Sequence, residues 1–276
     1  MKKTILFILV LALSTLIAAP AAAQKKDGQM RCGDSNYNDR LQTYCEIKEQ
    51  TLAATGAVAV DAKQNGGISI KGWDRADVLV RSKIQNAAPT QAEAEALAKQ
   101  IVIETAGRIR AEGPEQRDDY HWHVSYEIFV PRHTDLSLEA HNGGISIADV
   151  SSKIEFSTTN GGVSLSRVGG NVRGTTTNGG LHIELAGTRW EGEALDVKTT
   201  NGGVNLIMPD NYSAHLETAT VNGNVSFGFP VNVPRNERGR IPKSINVDLG
   251  SGGPTIRATT TNGGVRVGSG KRTIEM

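Results

Sequence analysis

The chain has 276 residues, 30 Lys and Arg against 29 Asp and Glu, a formal net charge of +1 and 5% aromatic residues. A nucleic-acid binder would show a basic excess, so that class is excluded on charge. Few large aromatic anchors and 31 glycines suit a thin, turn-rich β structure better than a thick globular core.

The first element is an export signal. Lys2 and Lys3 precede an almost unbroken apolar stretch from Thr4 to Ala19, and Ala21 and Ala23 fit an A-x-A cleavage site. The expected signal peptide is 1–23, cut after Ala23. The apolar run is shorter than the ~20 residues of a spanning helix, and no later segment reads as one. The expected location is therefore periplasmic, extracellular or at the cell surface, with no transmembrane segment in the mature chain. The two cysteines, Cys32 and Cys45, follow in a 24–50 segment. Export places them where disulfides persist, and a bridge between them would contribute ~3 kcal/mol in the chain-entropy model.

Residues 51–135 are expected to form an N-terminal β cap. Glu46 to Glu49, Ala57 to Val60 and Asp77 to Ile84 read as strands. Thr90-Gln91-Ala92-Glu93 is a capping-box pattern, and Ala94, Leu97, Ala98 and Ile101 fall at helical spacing, so one helix is expected over about Gln91 to Gln100. Ile101 to Glu104 and His123 to Val130 follow as strands.

From residue 136 to 276 a repeat dominates. Asn-Gly-Gly opens at Asn65, Asn142, Asn160, Asn178, Asn201 and Asn262, with Asn-Gly-Asn at Asn222. From Asn142 onward the steps are 18, 18, 23, 21 and 40 residues. The last step reads as two coils or one coil plus an insertion, and the Pro- and Arg-rich stretch Pro230 to Pro242 reads as that insertion. After each turn comes an apolar-polar-apolar strand such as Ile145-Ser146-Ile147 or Val204-Asn205-Leu206, the period-2 signature of a half-buried strand. Two residues before the Asn stands a threonine column: Thr158, Thr176, Thr199, Thr220 and Thr260. Five residues before it stands a charged column: Glu155, Arg173, Asp196, Glu217 and Arg257. Asn and Gly are expected in the turn because it calls for positive φ.

One repeat buries about four apolar side chains at ~1.5–3 kcal/mol each, whereas ordering its backbone costs ~1–2 kcal/mol per residue. It is stable only when stacked. The expected fold is mainly all-β, a β-solenoid or β-roll of ~18–23-residue Asn-Gly-Gly repeats with one short helix in the N-terminal cap. Stacked coils predict parallel pairing. A hairpin meander turning at Asn-Gly is the competing topology.

Repeated Thr-Thr-Asn-Gly-Gly at Thr158, Thr176, Thr199 and Thr260, followed by these short strands, resembles the bacterial putative-adhesin family of β-strand-repeat domains, a family without an assigned function. The resemblance runs from about Leu52 to the C-terminus. It implies a β-solenoid-like fold and an envelope setting, and brings no catalytic residues.

Three constellations carry chemistry to weigh. His121 and His123 flank Trp122 at alternate strand positions and could chelate a metal with Asp118, Asp119 or His133; the plainer reading is a polar strand edge with Trp122 inward. Within the charged column, Asp196 beside Glu217 is the one carboxylate pair a polysaccharide-acting enzyme could use; register and solubility are the plainer reading. The threonine column could present a flat binding surface, or simply stack well in strands. No nucleophile elbow, zinc-protease helix, Walker loop or dinucleotide fingerprint appears, so no cofactor, catalytic residue or metal site is expected. The function read from the sequence is a non-enzymatic envelope protein, adhesin-like or a scaffold. Its partners would be a cell-envelope component, a polysaccharide or a protein, with no nucleic acid. The alternatives are a polysaccharide-acting β-helix enzyme and a self-associating structural protein.

Overall fold

A computed structural model describes residues 30–33, 40–229, 233, 235–237 and 239–270. The expected signal peptide and most of the 24–40 stretch lie outside the described residues.

The N-terminal part contains β1 (Gln42–Ala53), β2 (Ala57–Asp61), β3 (Ile68–Trp73), β4 (Asp77–Ala88), α1 (Gln91–Gln100), β5 (Val102–Glu104), β6 (Arg108–Glu112) and β7 (His121–Pro131). The repeat region follows with β8 (Asp135–Ala140), β9 (Ile145–Ala148), β10 (Ser151–Thr158), β11 (Val163–Ser166), β12 (Gly169–Asn178), β13 (Leu181–Glu184), β14 (Ala194–Asn201), β15 (Val204–Met208), β16 (Ala214–Asn222) and β17 (Val225–Phe227). The chain ends with β18 (Ser244–Leu249), β19 (Thr255–Asn262) and β20 (Val265–Ser269).

These strands form two ten-stranded sheets. Sheet A runs β1-β4-β7-β3-β9-β11-β13-β15-β20-β17, and sheet B runs β18-β16-β19-β14-β12-β10-β8-β2-β6-β5. In the repeat the chain alternates between them, so each Asn-Gly-Gly turn carries it from a strand of sheet B to one of sheet A. Successive strands within a sheet pair in parallel, as Ile154 beside Val172 and Val163 beside Leu181 show. The meander is thus overturned in the repeat: a hairpin would place consecutive strands in one sheet. The structure is nevertheless two mixed sheets, not a closed solenoid. β1 and β4 extend sheet A antiparallel at one end, β5 pairs antiparallel with β6, and β18 pairs antiparallel with β16 at the other end.

The core lies between the sheets. The apolar pair of each short strand (Ile145 and Ile147, Leu181 and Ile183, Val204 and Leu206) meets Ile154, Val172, Leu195 and Ile256 from sheet B, all buried. Period-2 alternation does this directly, because alternate residues of a strand share a face. Large and small residues interlock where Phe156 covers Gly174 in the next strand: a Cβ at Gly174 would lie 2.3 Å from the phenyl ring.

The helix is placed where its capping box predicts. The Thr90 hydroxyl accepts from the Glu93 N–H at 3.3 Å and donates to the Glu93 carboxylate at 2.8 Å. Ala94, Leu97 and Ala98 are buried, on a helix that packs on β1 and β4. β3, β6, β8 and β18 are strands that the sequence reading does not name; in β6, Ile109 and Ala111 alternate inward as in the other strands. The Cys32–Cys45 disulfide is formed and ties residues 30–33 to β1.

A glycine- and serine-lined groove on sheet A

The recurring turns build a regular edge. Along it the asparagines join in a ladder in which each side-chain amide donates to the next carbonyl. Asn222 donates to Asn262, Asn262 to Asn201, Asn201 to Asn178, Asn178 to Asn160, Asn160 to Asn142 and Asn142 to Asn65, at 2.7–2.9 Å. The turn residues of the sequence thus form one continuous array.

The glycines have a different cause from the one expected. Gly143, Gly161, Gly179 and Gly202 are not in the positive-φ region. They are glycine because each turn sits directly on its neighbour: a Cβ on Gly161, Gly179 or Gly202 would lie 2.1–2.2 Å from the carbonyl oxygen of the preceding turn. Close backbone approach fixes these four positions, whereas Gly263, the same position in the Asn262 turn, combines the close approach with the expected positive φ of 156°.

The threonine column is likewise corrected. Thr158, Thr176, Thr199, Thr220 and Thr260 are buried, so they present no surface. Each hydroxyl donates to a glycine carbonyl of the neighbouring turn: Thr158 to Gly143, Thr176 to Gly161, Thr199 to Gly179, Thr260 to Gly202 and Thr220 to Gly263, at 2.7–2.8 Å. The column ties each layer to the next.

The charged column lies on the outer face of sheet B in the spatial order Glu155, Arg173, Asp196, Arg257, Glu217. The signs alternate without exception. Arg257 stands between Asp196 and Glu217 and reaches both carboxylates, at 3.3 and 2.6 Å. The one carboxylate pair that an enzyme could have used is therefore split by a guanidinium, and the column's alternation fits the plainer reading of register and solubility.

The histidines of β7 do not converge with other ligands. The Asp118 carbonyl is 2.9 Å from His121 Nε2, His133 Nδ1 instead lies 3.0 Å from the Ser151 carbonyl, and no group of three or more His, Cys, Asp or Glu is placed to hold a metal among the described residues. Burial, with nearby Lys83, holds the His123 imidazole below its usual range. Trp122 Nε1 donates to the Pro114 carbonyl at 2.8 Å and the ring packs against the core.

On the outer face of sheet A lies a shallow groove of about 660 Å³ crossing β9, β11, β13 and β15. Its walls include Gly144, Gly162, Gly180 and Gly203, the second glycines of the turns, and Ser146, Ser164, His182 and Asn205, the middle residues of the short strands. The glycine column and the short Ser146 and Ser164 side chains leave the concavity open, with His182 and Asn205 at one end. Equivalent side chains recur at the ~4.8 Å spacing of neighbouring strands. The Asn205 amide meets His182 Nδ1 at 3.1 Å. The walls carry no Asp, Glu, Lys or Arg. In the sequence these middle residues read only as solvent-facing; the missed signal was that uncharged side chains at Ser146, Ser164, His182 and Asn205 align beside a glycine column.

No helix among the described residues is long and apolar enough to cross a membrane. No curated protein matches the chain. Among solved structures, it is similar to a "putative cell adhesion protein" from Clostridium sporogenes, with 12% identity over 82% of this chain and 100% of that one and a TM-score of 0.41. It is also similar to a "putative adhesin" from Bacteroides fragilis, with 13% identity over 81% and 97% and a TM-score of 0.33. A "putative lipid binding protein" from Parabacteroides distasonis matches with 8% identity over 82% and 97% and a TM-score of 0.29. The stronger match is in sequence: the model of the family described as Toastrack DUF4097 aligns with residues 57–268, which hold both sheets' repeat strands and every turn of the asparagine ladder, and the chain belongs to that family.

Proposed function

We propose that the protein is an exported, non-enzymatic envelope protein that binds an extended partner along the groove of sheet A. The observation that carries this reading is the groove itself, an open, uncharged and largely apolar floor on which two serine hydroxyls, one imidazole and one amide stand on successive strands. Such a floor suits a neutral, hydroxyl-rich polymer, which offers hydrogen bonds at regular intervals and needs no counter-charge. A polysaccharide of the cell envelope is the partner class that fits. The almost unbroken apolar leader of the sequence and the Cys32–Cys45 bridge support an exported setting. The domain plan that goes with this reading is a signal peptide at 1–23, a disulfide segment at 24–50, a cap at 51–135 and the repeat at 136–276.

Co-sedimentation with isolated envelope fractions and purified neutral polysaccharides tests the proposal. Saturable, salt-insensitive binding is expected, and Ser164→Arg, which fills the groove without touching the core, is expected to abolish it with the thermal midpoint unchanged. Binding that survives this substitution would move the site away from sheet A.

A further inference from the structure

The last layer of the chain occupies a place that its position in the sequence does not predict. β19 and β20 come last, yet they stand between β14 and β16 in sheet B and between β15 and β17 in sheet A. The two strands belong to different sheets, so every strand pairing of this layer is to another layer. The side-chain columns follow the same order. Asn262 sits in the ladder between Asn201 and Asn222, Thr260 donates to Gly202, and Thr220 donates to Gly263. Arg257 bridges Asp196 and Glu217. The link from β18 is Gly250-Ser251-Gly252-Gly253-Pro254, with all three glycines at positive φ.

We propose that the C-terminal layer of one copy occupies the same slot in a second copy, so that chains associate by exchanging β19 and β20. A layer donated by another chain makes the same ladders, the same threonine and asparagine hydrogen bonds and the same arginine bridge. Only the link after β18 changes its path, and exchange of an identical element is a low-cost route to association. Until the layer arrives, β14 and β16 would face each other with Asp196 against Glu217. Like charges directly opposite are destabilising, which keeps the slot from closing on itself and leaves it open to a donor. This inference is independent of the groove and its ligand.

The test uses full-length chains. Lys198 and Thr259 are partners across β14 and β19 on the outer face of sheet B. Neighbouring strands lie ~4.8 Å apart, within disulfide reach. Chains carrying Lys198→Cys and chains carrying Thr259→Cys are unfolded, mixed in equal amounts, refolded and oxidised. A 198–259 cross-link between chains, identified by peptide mass spectrometry and rising with protein concentration, is the expected result. Lys198→Cys mixed with Glu155→Cys sets the background of random surface oxidation. A cross-link no greater than that background at every concentration overturns the proposal. Light scattering of the unsubstituted chain refolded over the same range gives a second reading that no substitution can disturb. Twice the chain mass is expected at high concentration, and a single-chain mass throughout overturns exchange.

Discussion

Arg257 and Glu217 meet across β19 and β16 with their charged groups 2.6 Å apart, although 40 residues separate them in the chain. The same guanidinium reaches Asp196 on β14 at 3.3 Å. All three side chains are partly exposed, so each pair contributes little to total stability. Their value is in the order they specify: an acid belongs beside a base at every step. Arg257→Ala is therefore expected to cost under about 1 kcal/mol. Arg257→Glu, which places three acids in a row, is expected to cost about 1–2 kcal/mol, lessened by salt. Urea denaturation at low and high ionic strength measures both. Equal, salt-independent midpoints for the two variants would remove the charged column from any role in layer order.

Two glycines of one type of turn are expected to respond differently. A Cβ on Gly179 would lie 2.1 Å from the Gly161 carbonyl oxygen, whereas a Cβ on Gly162 would lie 3.5 Å from the Gly180 carbonyl oxygen, an ordinary contact. Backbone cannot swing aside as a long side chain can. Gly179→Ala is expected to cost about 1–3 kcal/mol, as overpacking does, and Gly162→Ala less than half as much. Thermal melting of the two variants decides the point. Equal midpoints would show that stacking distance does not set the glycine column.

The threonine column gives a test that separates a structural hydroxyl from a binding one. Thr199 is fully buried and donates to the Gly179 carbonyl at 2.7 Å. Thr199→Val keeps the shape and removes the donor, which is expected to cost about 1–2 kcal/mol in chemical denaturation. Polysaccharide binding by the folded variant is expected to be unchanged. Lost binding at unchanged stability would return the column to the surface role that its repetition first suggested.

What was legible in the sequence was whatever depends on short-range pattern. The apolar-polar-apolar triplets marked the short strands of sheet A, the Thr90 to Glu93 capping box gave α1, and the Asn-Gly-Gly spacing gave the stacking register. Relationships set by tertiary order were not legible. Nothing local to Arg257 shows that it is inserted between residues 196 and 217, so Asp196 and Glu217 read as neighbours when a whole layer separates them. Thr199 read as a surface residue because polar side chains on strands usually face water; here the hydroxyl finds a carbonyl partner inside, which removes the penalty of burial. The groove was missed for a related reason. Ser146, Ser164 and His182 are unremarkable singly, and only their alignment beside a glycine column makes a concave surface.

The attachment of β18 carries a pH dependence whose sign follows from His215. Its Nδ1 lies 2.7 Å from the Asp248 carboxylate across the β16–β18 pair, and Glu217 lies 3.5 Å from its Nε2. The hydrogen bond to Asp248, with the charges of Asp248 and Glu217, raises the imidazole above its ordinary value of 6.5. A group with a raised pKa in the folded state favours folding most when protonated, so its contribution is fully present below 6.5 and fades as pH rises through the folded value. The native chain is therefore expected to gain stability over His215→Gln at about pH 5.5 and to lose that advantage by about pH 8. Asp248→Asn is expected to show the same loss, since it removes the main partner. Hydrogen exchange over residues 244–249 across this range reports the effect where it arises, with protection greatest on the acidic side. Protection in the native chain that is flat with pH, or identical in His215→Gln at every pH, would leave the pairing of β18 to its backbone hydrogen bonds alone.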